Sequence, residues 1–383
     1  MSRCPYVVHS AYNVNFDKEQ TMKVLISGAS VGGPVLAYWL RRHGYETTLV
    51  ERAPAPRKGG QAIDIRGAAL DVVAKMGVIE QIRALRTTMR GMSMMDGDGN
   101  ELMRSYEETV SGGRFDSPDI EIMRDDLTAI LTSISGAEYV YGDSIATLVQ
   151  DADGVDVTFE SGGRGRYDHV IGADGLHSNV RRLAFGPEAQ FLGHLGMYVS
   201  IFTADNFLDL DHWQTWFREG DVGGAVFSDR DTGVMRVNLG FGAGPIEYDH
   251  RDVEGQKRLI QERCSGLRWE VPKLLEAMWQ ADDFYFDAMA QVKMERWSKG
   301  RVALIGDAGY CASPLSGQGT SLALVGAYVL AQELGRDPIA AFDRYEERMR
   351  PFVARNQALA VENPGQGASP ESVQRAATSI TLD

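Results

Sequence analysis

The chain of 383 residues contains little cysteine, and its three cysteines are far apart with no C-x-x-C pair. This spacing excludes a disulfide framework and a cysteine-rich zinc site. A protein without disulfides fits a reducing compartment, so we expect it in the cytoplasm. No metal site is predicted. The cysteines are Cys4, Cys264 and Cys311.

The sequence also lacks an excess of positive charge, with 39 Lys and Arg against 53 Asp and Glu and a net charge of −14. Binding to a phosphate backbone requires clustered Lys and Arg, so this composition excludes nucleic acid as a partner and disfavours an anionic membrane surface. No apolar run approaches the roughly 18 residues of a membrane span. Residues 1–21 are polar and lack the apolar centre of a signal peptide, so we expect a poorly ordered leader.

The residues that follow this leader predict a βαβ unit. Lys23–Ser27 is an apolar strand, the helical spacing that follows it ends near Gly44, and Glu46–Glu51 predicts a second strand. The turn between them, Gly28-x-Ser30-x-x-Gly33, is the G-x-G-x-x-G pattern with Ser at the middle position. In this context the helix N-terminus binds the pyrophosphate of a dinucleotide.

The end of the second predicted strand carries a further cofactor signal. Glu51 follows Gly28 by 23 residues, where an acidic side chain accepts hydrogen bonds from the adenosine ribose. Arg52 is either a cofactor contact or a structural ion-pair partner.

A rival interpretation uses the same residues, because Gly28 to Gly32 also match the G-x-S-x-G elbow of serine hydrolases, with Ser30 as nucleophile. That fold pairs several strands before the nucleophile strand, whereas only the polar leader precedes Lys23. His177 and His212 are the candidate bases for this alternative.

Two more segments follow apolar strands, and the carboxyl ends of parallel strands are where such sheets bind ligands. The first is Gly172-Ala173-Asp174-Gly175, and the second is Gly306-Asp307 followed by Pro314-x-x-Gly317-Gln318-Gly319. Asp307 is suited to bind the ribityl hydroxyls of an extended cofactor. The N–H groups of Gly317–Gly319, at the start of a helix, would stabilise an electron-rich ring through the helix dipole.

These three segments together resemble the fingerprints of FAD-dependent class A monooxygenases, the para-hydroxybenzoate hydroxylase family. Within it, Gly59-Gly60-x-x-x-Asp64 and Phe115-Asp116-x-Pro118 leading to Arg124-x-Asp126-Leu127 resemble the tetracycline-inactivating branch. The similarity spans about residues 23–350. The chain departs from the pattern at Ser30, and at Thr320-Ser321, where many relatives have Asn.

The resemblance implies an α/β fold: a Rossmann-like FAD-binding domain of the glutathione-reductase type, with an inserted sheet-rich substrate domain and a C-terminal helix. We expect the FAD-binding domain at 22–90, 107–184 and 291–338, and the substrate domain at 91–106 and 185–290. The C-terminal helix is expected at 339–363 and a flexible tail at 364–383. Arg57 and Asp174 would contact NAD(P)H. The expected FAD contacts are Gly28, Ser30, Gly33, Glu51, Arg52, Asp64, Arg124, Asp307, Pro314, Gly317, Gln318, Gly319 and Thr320.

The resemblance also implies the activity. Such an enzyme reduces FAD with NADPH or NADH, traps molecular oxygen as a C4a-hydroperoxide and oxygenates an aromatic or polycyclic small molecule, so no protein nucleophile is needed. A reductase of the prenyl-lipid type, without oxygen insertion, is the alternative, and a non-catalytic protein that sequesters its ligand is another. We expect a monomer or weak homodimer. Polar groups within otherwise apolar strands give the substrate candidates Gln214, Phe227, Arg236, Asn238 and Phe241.

Overall fold

The computed structural model describes residues 21–57, 59–107, 117–363 and 367–383. The expectation for the leader, apart from its last residue, and the role of Phe115-Asp116 therefore lie outside the described residues. The strands are β1 (Lys23–Ser27), β2 (Glu46–Glu51), β3 (Ala62–Ile65), β4 (Gly91–Met95), β5 (Glu101–Ser105), β6 (Ile120–Met123), β7 (Glu138–Tyr141), β8 (Ile145–Gln150), β9 (Val155–Phe159), β10 (Arg164–Tyr167), β11 (His169–Gly172), β12 (Leu192–Asp205), β13 (Trp213–Glu219), β14 (Val222–Ser228), β15 (Val234–Gly242), β16 (Tyr285–Val292), β17 (Ser298–Lys299) and β18 (Val302–Leu304).

The helices alternate with these strands in the first part of the chain and close it at the C-terminus. They are α1 (Gly32–Arg42), α2 (Ala68–Lys75), α3 (Ile79–Ala84), α4 (Arg124–Ser135), α5 (Asn179–Ala184), α6 (Val253–Cys264), α7 (Val271–Gln280), α8 (Asp307–Tyr310), α9 (Gly319–Arg336), α10 (Ala341–Leu359) and α11 (Pro370–Ala377). In the described parts of the chain, no helix is long and apolar enough to cross a membrane.

A six-stranded sheet with the order β17-β18-β11-β1-β2-β7 forms the nucleotide-binding domain. Its strands are parallel except for the edge strand β17. Side chains such as Leu25 and Ile26 are wholly buried because layers cover both faces of the sheet, as parallel strands require. Helices α1 and α9 pack on one face, and the meander β8–β10 packs on the other. The predicted Rossmann-like fold is confirmed.

A seven-stranded sheet with the order β16-β12-β15-β14-β13-β4-β5 forms the sheet-rich part. Strands β4 and β5 come from residues 91–105 and pair with β13, so two separate chain segments build this sheet. Helices α6 and α7 cover one face with residues such as Ile260 and Leu274. We call the other face the inner face, defined by Gln214, Phe227, Arg236 and Asn238, because Arg236 on this face lies near Arg124 of the nucleotide-binding domain.

The expectation of a flexible tail from residue 364 onward differs from the structure, in which α11 follows α10 and buries Val373 and Ala376 beside Leu359. Ser369 caps this helix and Pro370 occupies its first turn, so residues that suggested fraying are a helix start signal. The carbonyl of the last residue accepts a hydrogen bond from Tyr328 Oη at 2.5 Å. Tertiary packing therefore orders the described part of the tail.

Candidate functional site

A cavity of about 420 Å³ opens where β1, β11 and β18 end. The three motif segments, which lie far apart in the sequence, meet in its wall. Of the predicted cofactor contacts only Gly33 does not line it. The predicted residues in the wall are Gly28, Ser30, Glu51, Arg52, Arg57, Asp64, Arg124, Asp174, Asp307, Pro314, Gly317, Gln318, Gly319 and Thr320.

The first turn needs both of its outer glycines. Gly28 has φ +107°, and a Cβ there would lie 2.3 Å from the carbonyl oxygen of Ala173, while a Cβ on Gly33 would lie 2.0 Å from that of Gly28. The first turn of α1 carries no acidic residue and no side-chain cap, so its N–H groups are available to a phosphate. This geometry fits the diphosphate of a dinucleotide.

Glu51 stabilises this turn from the neighbouring strand. Its two carboxylate oxygens accept hydrogen bonds from the N–H groups of Ala29 at 3.0 Å and Ala53 at 2.9 Å. Each oxygen keeps a second lone pair, so the carboxylate can still accept a ribose hydroxyl at the cavity wall.

Asp174 of the second segment accepts hydrogen bonds from Ser178 Oγ at 2.5 Å and from the N–H groups of Asn179 and Val180. It therefore holds the start of α5, and burial raises the pKa of its carboxyl. Contact with NAD(P)H remains a prediction for this residue.

The third segment combines two glycines of positive φ with a half-buried carboxyl. Gly306 has φ +58° and Gly317 has φ +63°. Burial raises the pKa of Asp307, which lies at the cavity wall. Gln318 is wholly buried, and neither of its amide atoms has a hydrogen-bond partner among the described residues. Buried polar atoms are normally satisfied, so this amide indicates a ligand.

Three arginines, Arg52, Arg57 and Arg124, lie on the same cavity wall. Arg124 Nη2 donates to the carbonyl oxygen of Gly59 at 2.9 Å, and a Cβ on Gly60 would lie 2.5 Å from Arg124 Nε. Burial, and then the nearby charge of Arg57, lower the pKa of Arg124. The absence of a side chain at Gly60 thus admits the guanidinium to the cavity wall.

A hydrogen-bond network that the sequence did not predict connects the two domains. His177 pairs with Glu188 through Nδ1 at 2.9 Å and with Asp287 through Nε2 at 3.1 Å. Burial alone would lower the pKa of His177, but the hydrogen bonds to Asp287 and Glu188 outweigh it and raise the pKa to about 10. Asp287 also accepts hydrogen bonds from Tyr248 and Tyr285.

The same network bears on the alternative in which Ser30 is the nucleophile of a serine hydrolase. Carboxylates occupy both ring nitrogens of His177, so this histidine has no free nitrogen to act as a base. His212 lies just before β13 in the sheet-rich part, and its Nδ1 is 2.7 Å from the hydroxyl of Thr88. Among the described residues, neither predicted base therefore serves a serine nucleophile.

The substrate candidates divide between the two faces of the seven-stranded sheet. Gln214 pairs with Phe227, which pairs with Arg236, so these residues and Asn238 share the inner face. The expectation for Phe241 is wrong. It lies on the opposite face, is 1% exposed and stacks on neighbouring aromatic rings, because side chains alternate along a strand.

Fold and site together define a flavoprotein: a dinucleotide turn, a half-buried carboxyl and the start of a helix all lie in the wall of one cavity. The model of the FAD binding domain family matches residues 21–360. The chain is 51% identical over 366 residues to the uncharacterized protein Rv1260 of Mycobacterium tuberculosis (strain ATCC 25618 / H37Rv), covering 94% of this chain and 98% of that protein. It is 41% identical over 346 residues to a flavin-dependent monooxygenase of Legionella longbeachae serogroup 1 (strain NSW150), covering 89% and 88%.

Solved structures are similar over nearly the whole chain. The tetracycline destructase Tet(51) superimposes with a TM-score of 0.87 at 36% identity, covering 95% of this chain and 100% of that one. For the tetracycline destructase Tet(55) the TM-score is 0.85 at 40% identity, with 95% and 98% covered. The chain belongs to the FAD binding domain family, and it is an FAD-dependent monooxygenase of the class A type.

Proposed function

We propose that this monooxygenase consumes NADPH or NADH and hydroxylates an aromatic or polycyclic small molecule held between the FAD cavity and the inner face. One observation carries the proposal: the inner face has polar side chains among apolar ones, and Arg236 on this face lies near Arg124 of the cavity wall. Similarity to two tetracycline destructases supports the polycyclic class.

Contacts between the domains bring the inner face to the cavity. Asp283 Oδ2 accepts hydrogen bonds from Thr203 Oγ1 at 2.5 Å and Arg236 Nη1 at 3.3 Å, and a Cβ on Gly59 would lie 2.5 Å from the same oxygen. The buried Oδ1 of Asn238 has no partner among the described residues, so it is an acceptor that a substrate hydroxyl or N–H would satisfy.

When bound, FAD supplies the activation of oxygen and the transfer of one oxygen atom to the substrate. The protein orients the reactants. The N–H groups at the start of α1 would hold the diphosphate, Asp307 would accept hydrogen bonds from the ribityl chain, and Arg124 and Asp64 would border the ring end. A substrate bound between the inner face and the cavity would exclude water and so strengthen these polar contacts.

The nicotinamide cofactor would bind only transiently. The described residues contain one dinucleotide turn, which FAD uses, so the reductant needs another surface. Arg57 and Arg52 are exposed at the cavity rim, where guanidinium groups can meet phosphates.

Both described cysteines, Cys264 and Cys311, are unpaired and buried, which supports a reducing compartment such as the cytoplasm. We propose a monomer or weak homodimer.

An aerobic screen tests the reaction. Candidate aromatic and polycyclic compounds should stimulate NADPH oxidation, and under ¹⁸O₂ the product should gain one labelled oxygen atom. Unlabelled product with continued NADPH oxidation would instead establish the reductase alternative. Substrate binding without NADPH oxidation would indicate a sequestering protein.

Arg236→Ala tests the substrate face. Losing a charged hydrogen bond of about 1.5–3 kcal/mol should raise KM roughly 10- to 100-fold. The matched control is Arg263→Ala, because Arg263 lies over the Phe241 ring on the opposite face of the same sheet. If both variants keep the wild-type KM, the inner face does not bind substrate.

A further inference from the structure

A group of charged side chains lies behind the end of the cavity that is bounded by Gly317–Gly319. Strands β3 and β6 are antiparallel, with Asp64 directly opposite Glu121, so the two carboxylates share one face of the hairpin. Asp64 Oδ2 pairs with Arg66 Nη2 at 2.9 Å, and Arg66 is only 3% exposed. We call Asp64, Arg66, Asp119 and Glu121 the carboxylate cluster.

The carboxylate cluster contains more acids than bases. Arg66 is its one cation and already pairs with Asp64, while Asp119 and Glu121 lie near the same charges. Like charges in a partly buried site resist ionising together, so one carboxyl keeps its proton to a higher pH than a free carboxyl does.

Glu121 is that carboxyl, and burial raises the pKa of Asp119 as well. Its carboxylate accepts a hydrogen bond from Thr87 Oγ1 at 2.7 Å. Burial, and next the charge of Asp64, raise the pKa of Glu121 to about 7, against the opposing effects of Thr87 and Arg66. The charge of Asp229 also raises it.

The remaining groups packed around Glu121 are already paired with one another. Asp229 accepts a hydrogen bond from the Thr88 N–H, and His212 Nδ1 lies 3.4 Å from it. The residue after Asp229, Arg230, pairs with Asp126. None of these pairs supplies a second cation to Glu121.

The cluster borders the part of the cavity wall where a buried side chain lacks a hydrogen-bond partner. Asp64 lines the cavity, and a Cβ on Gly317 would lie 3.9 Å from Asp64 Oδ2 and from the Arg66 guanidinium. The next residue, Gln318, is the wholly buried amide without a partner in the described chain. The cluster therefore lies directly behind the wall that would meet the ring end of FAD.

We propose that Glu121 is a positioning residue for the monooxygenase reaction, storing one proton behind the ring end of the FAD cavity and setting, through Asp64 and Arg66, the charge at that wall. Glu121 takes up a proton from solvent below neutral pH and releases it above. The ionised form adds a negative charge, which opposes the addition of electrons to bound FAD. The protonated form removes this opposition.

The test follows the two-electron midpoint potential of bound FAD between about pH 5.5 and about pH 9. Wild type should show a break in the pH dependence near 7, and Glu121→Gln should abolish it. Thr87→Val should move the break to higher pH, because the hydroxyl of Thr87 stabilises ionised Glu121. Glu101→Gln is the matched control, because Glu101 also accepts a hydroxyl hydrogen bond, from Ser93, but lies at the surface of the other domain.

A second readout uses the protein without FAD. Infrared difference spectra should show a carboxylic acid C=O band that disappears with a midpoint near pH 7 in wild type and is missing in Glu121→Gln. The proposal is overturned if Glu121→Gln retains the break, or if wild type lacks either the break or the band. Should Glu121→Gln fail to fold, an unshifted break in Thr87→Val would overturn it as well.

Discussion

Replacing Gly28 by Ala is the most direct test of the FAD site, because the structure gives the size of the perturbation. Gly28 has φ +107°, a conformation that costs a residue with a side chain of order 1–3 kcal/mol. The new Cβ would also lie 2.3 Å from the carbonyl oxygen of Ala173, and relieving such overlap costs about 1–3 kcal/mol more. Only a shift of the turn away from β11 relieves it.

This shift would displace the N–H groups proposed to hold the diphosphate. If about 3 kcal/mol of the strain is expressed at the site, the dissociation constant of FAD rises more than 100-fold. Fluorescence titration of the apoprotein with FAD measures it.

Gly44→Ala is the matched control. Gly44 has φ +85°, but a Cβ added there would meet no atom within 4 Å, so the substitution introduces the backbone strain without the overlap. Its FAD affinity should stay within a few-fold of wild type while its melting temperature falls. Equal FAD affinities for Gly28→Ala and wild type would refute the phosphate role of the turn.

Two further variants test the cavity and the network between the domains. Asp307→Ala should weaken FAD binding by roughly 10- to 100-fold, because a charged hydrogen bond of about 1.5–3 kcal/mol is lost. The control Asp343→Ala, at an exposed position, should leave FAD binding unchanged. Flavin content after gel filtration measures both variants. For His177 the folded-state pKa is raised from 6.5 to about 10, so its stabilising contribution is complete below pH 6.5 and is lost as pH rises toward 10. The difference in unfolding free energy between wild type and His177→Gln should therefore shrink across that range in denaturant titrations, and a constant difference would contradict the charged pair.

The strand–turn–helix unit at the start of the described chain was predictable because its determinants are local. A tight turn between β1 and α1 needs glycine at fixed spacing, and the apolar runs around it are those that a parallel strand and a packed helix require. The same reasoning places the second and third segments at strand ends. Since the carboxyl ends of parallel strands meet at one edge of a sheet, sequence spacing was sufficient to expect one cavity.

Properties that depend on pairing between distant segments were decided only by the tertiary structure. The inner face contains Arg236 and Asn238 but not Phe241, because strand register and the packing of α6 and α7 determine which side is covered. His177 and Asp287 lie 110 residues apart and meet only across the domain boundary.

The carboxylate cluster and the C-terminal helix also depend on contacts between segments that are distant in the sequence. Glu121 comes to face Asp64 through the antiparallel pairing of β3 and β6, and its protonation depends on the burial that follows. The sequence alone thus determined the backbone geometry of the cofactor turn, whose constraints act between adjacent residues. Desolvation and long-range contact, which set charge and orientation at the site, exist only once the chain has folded.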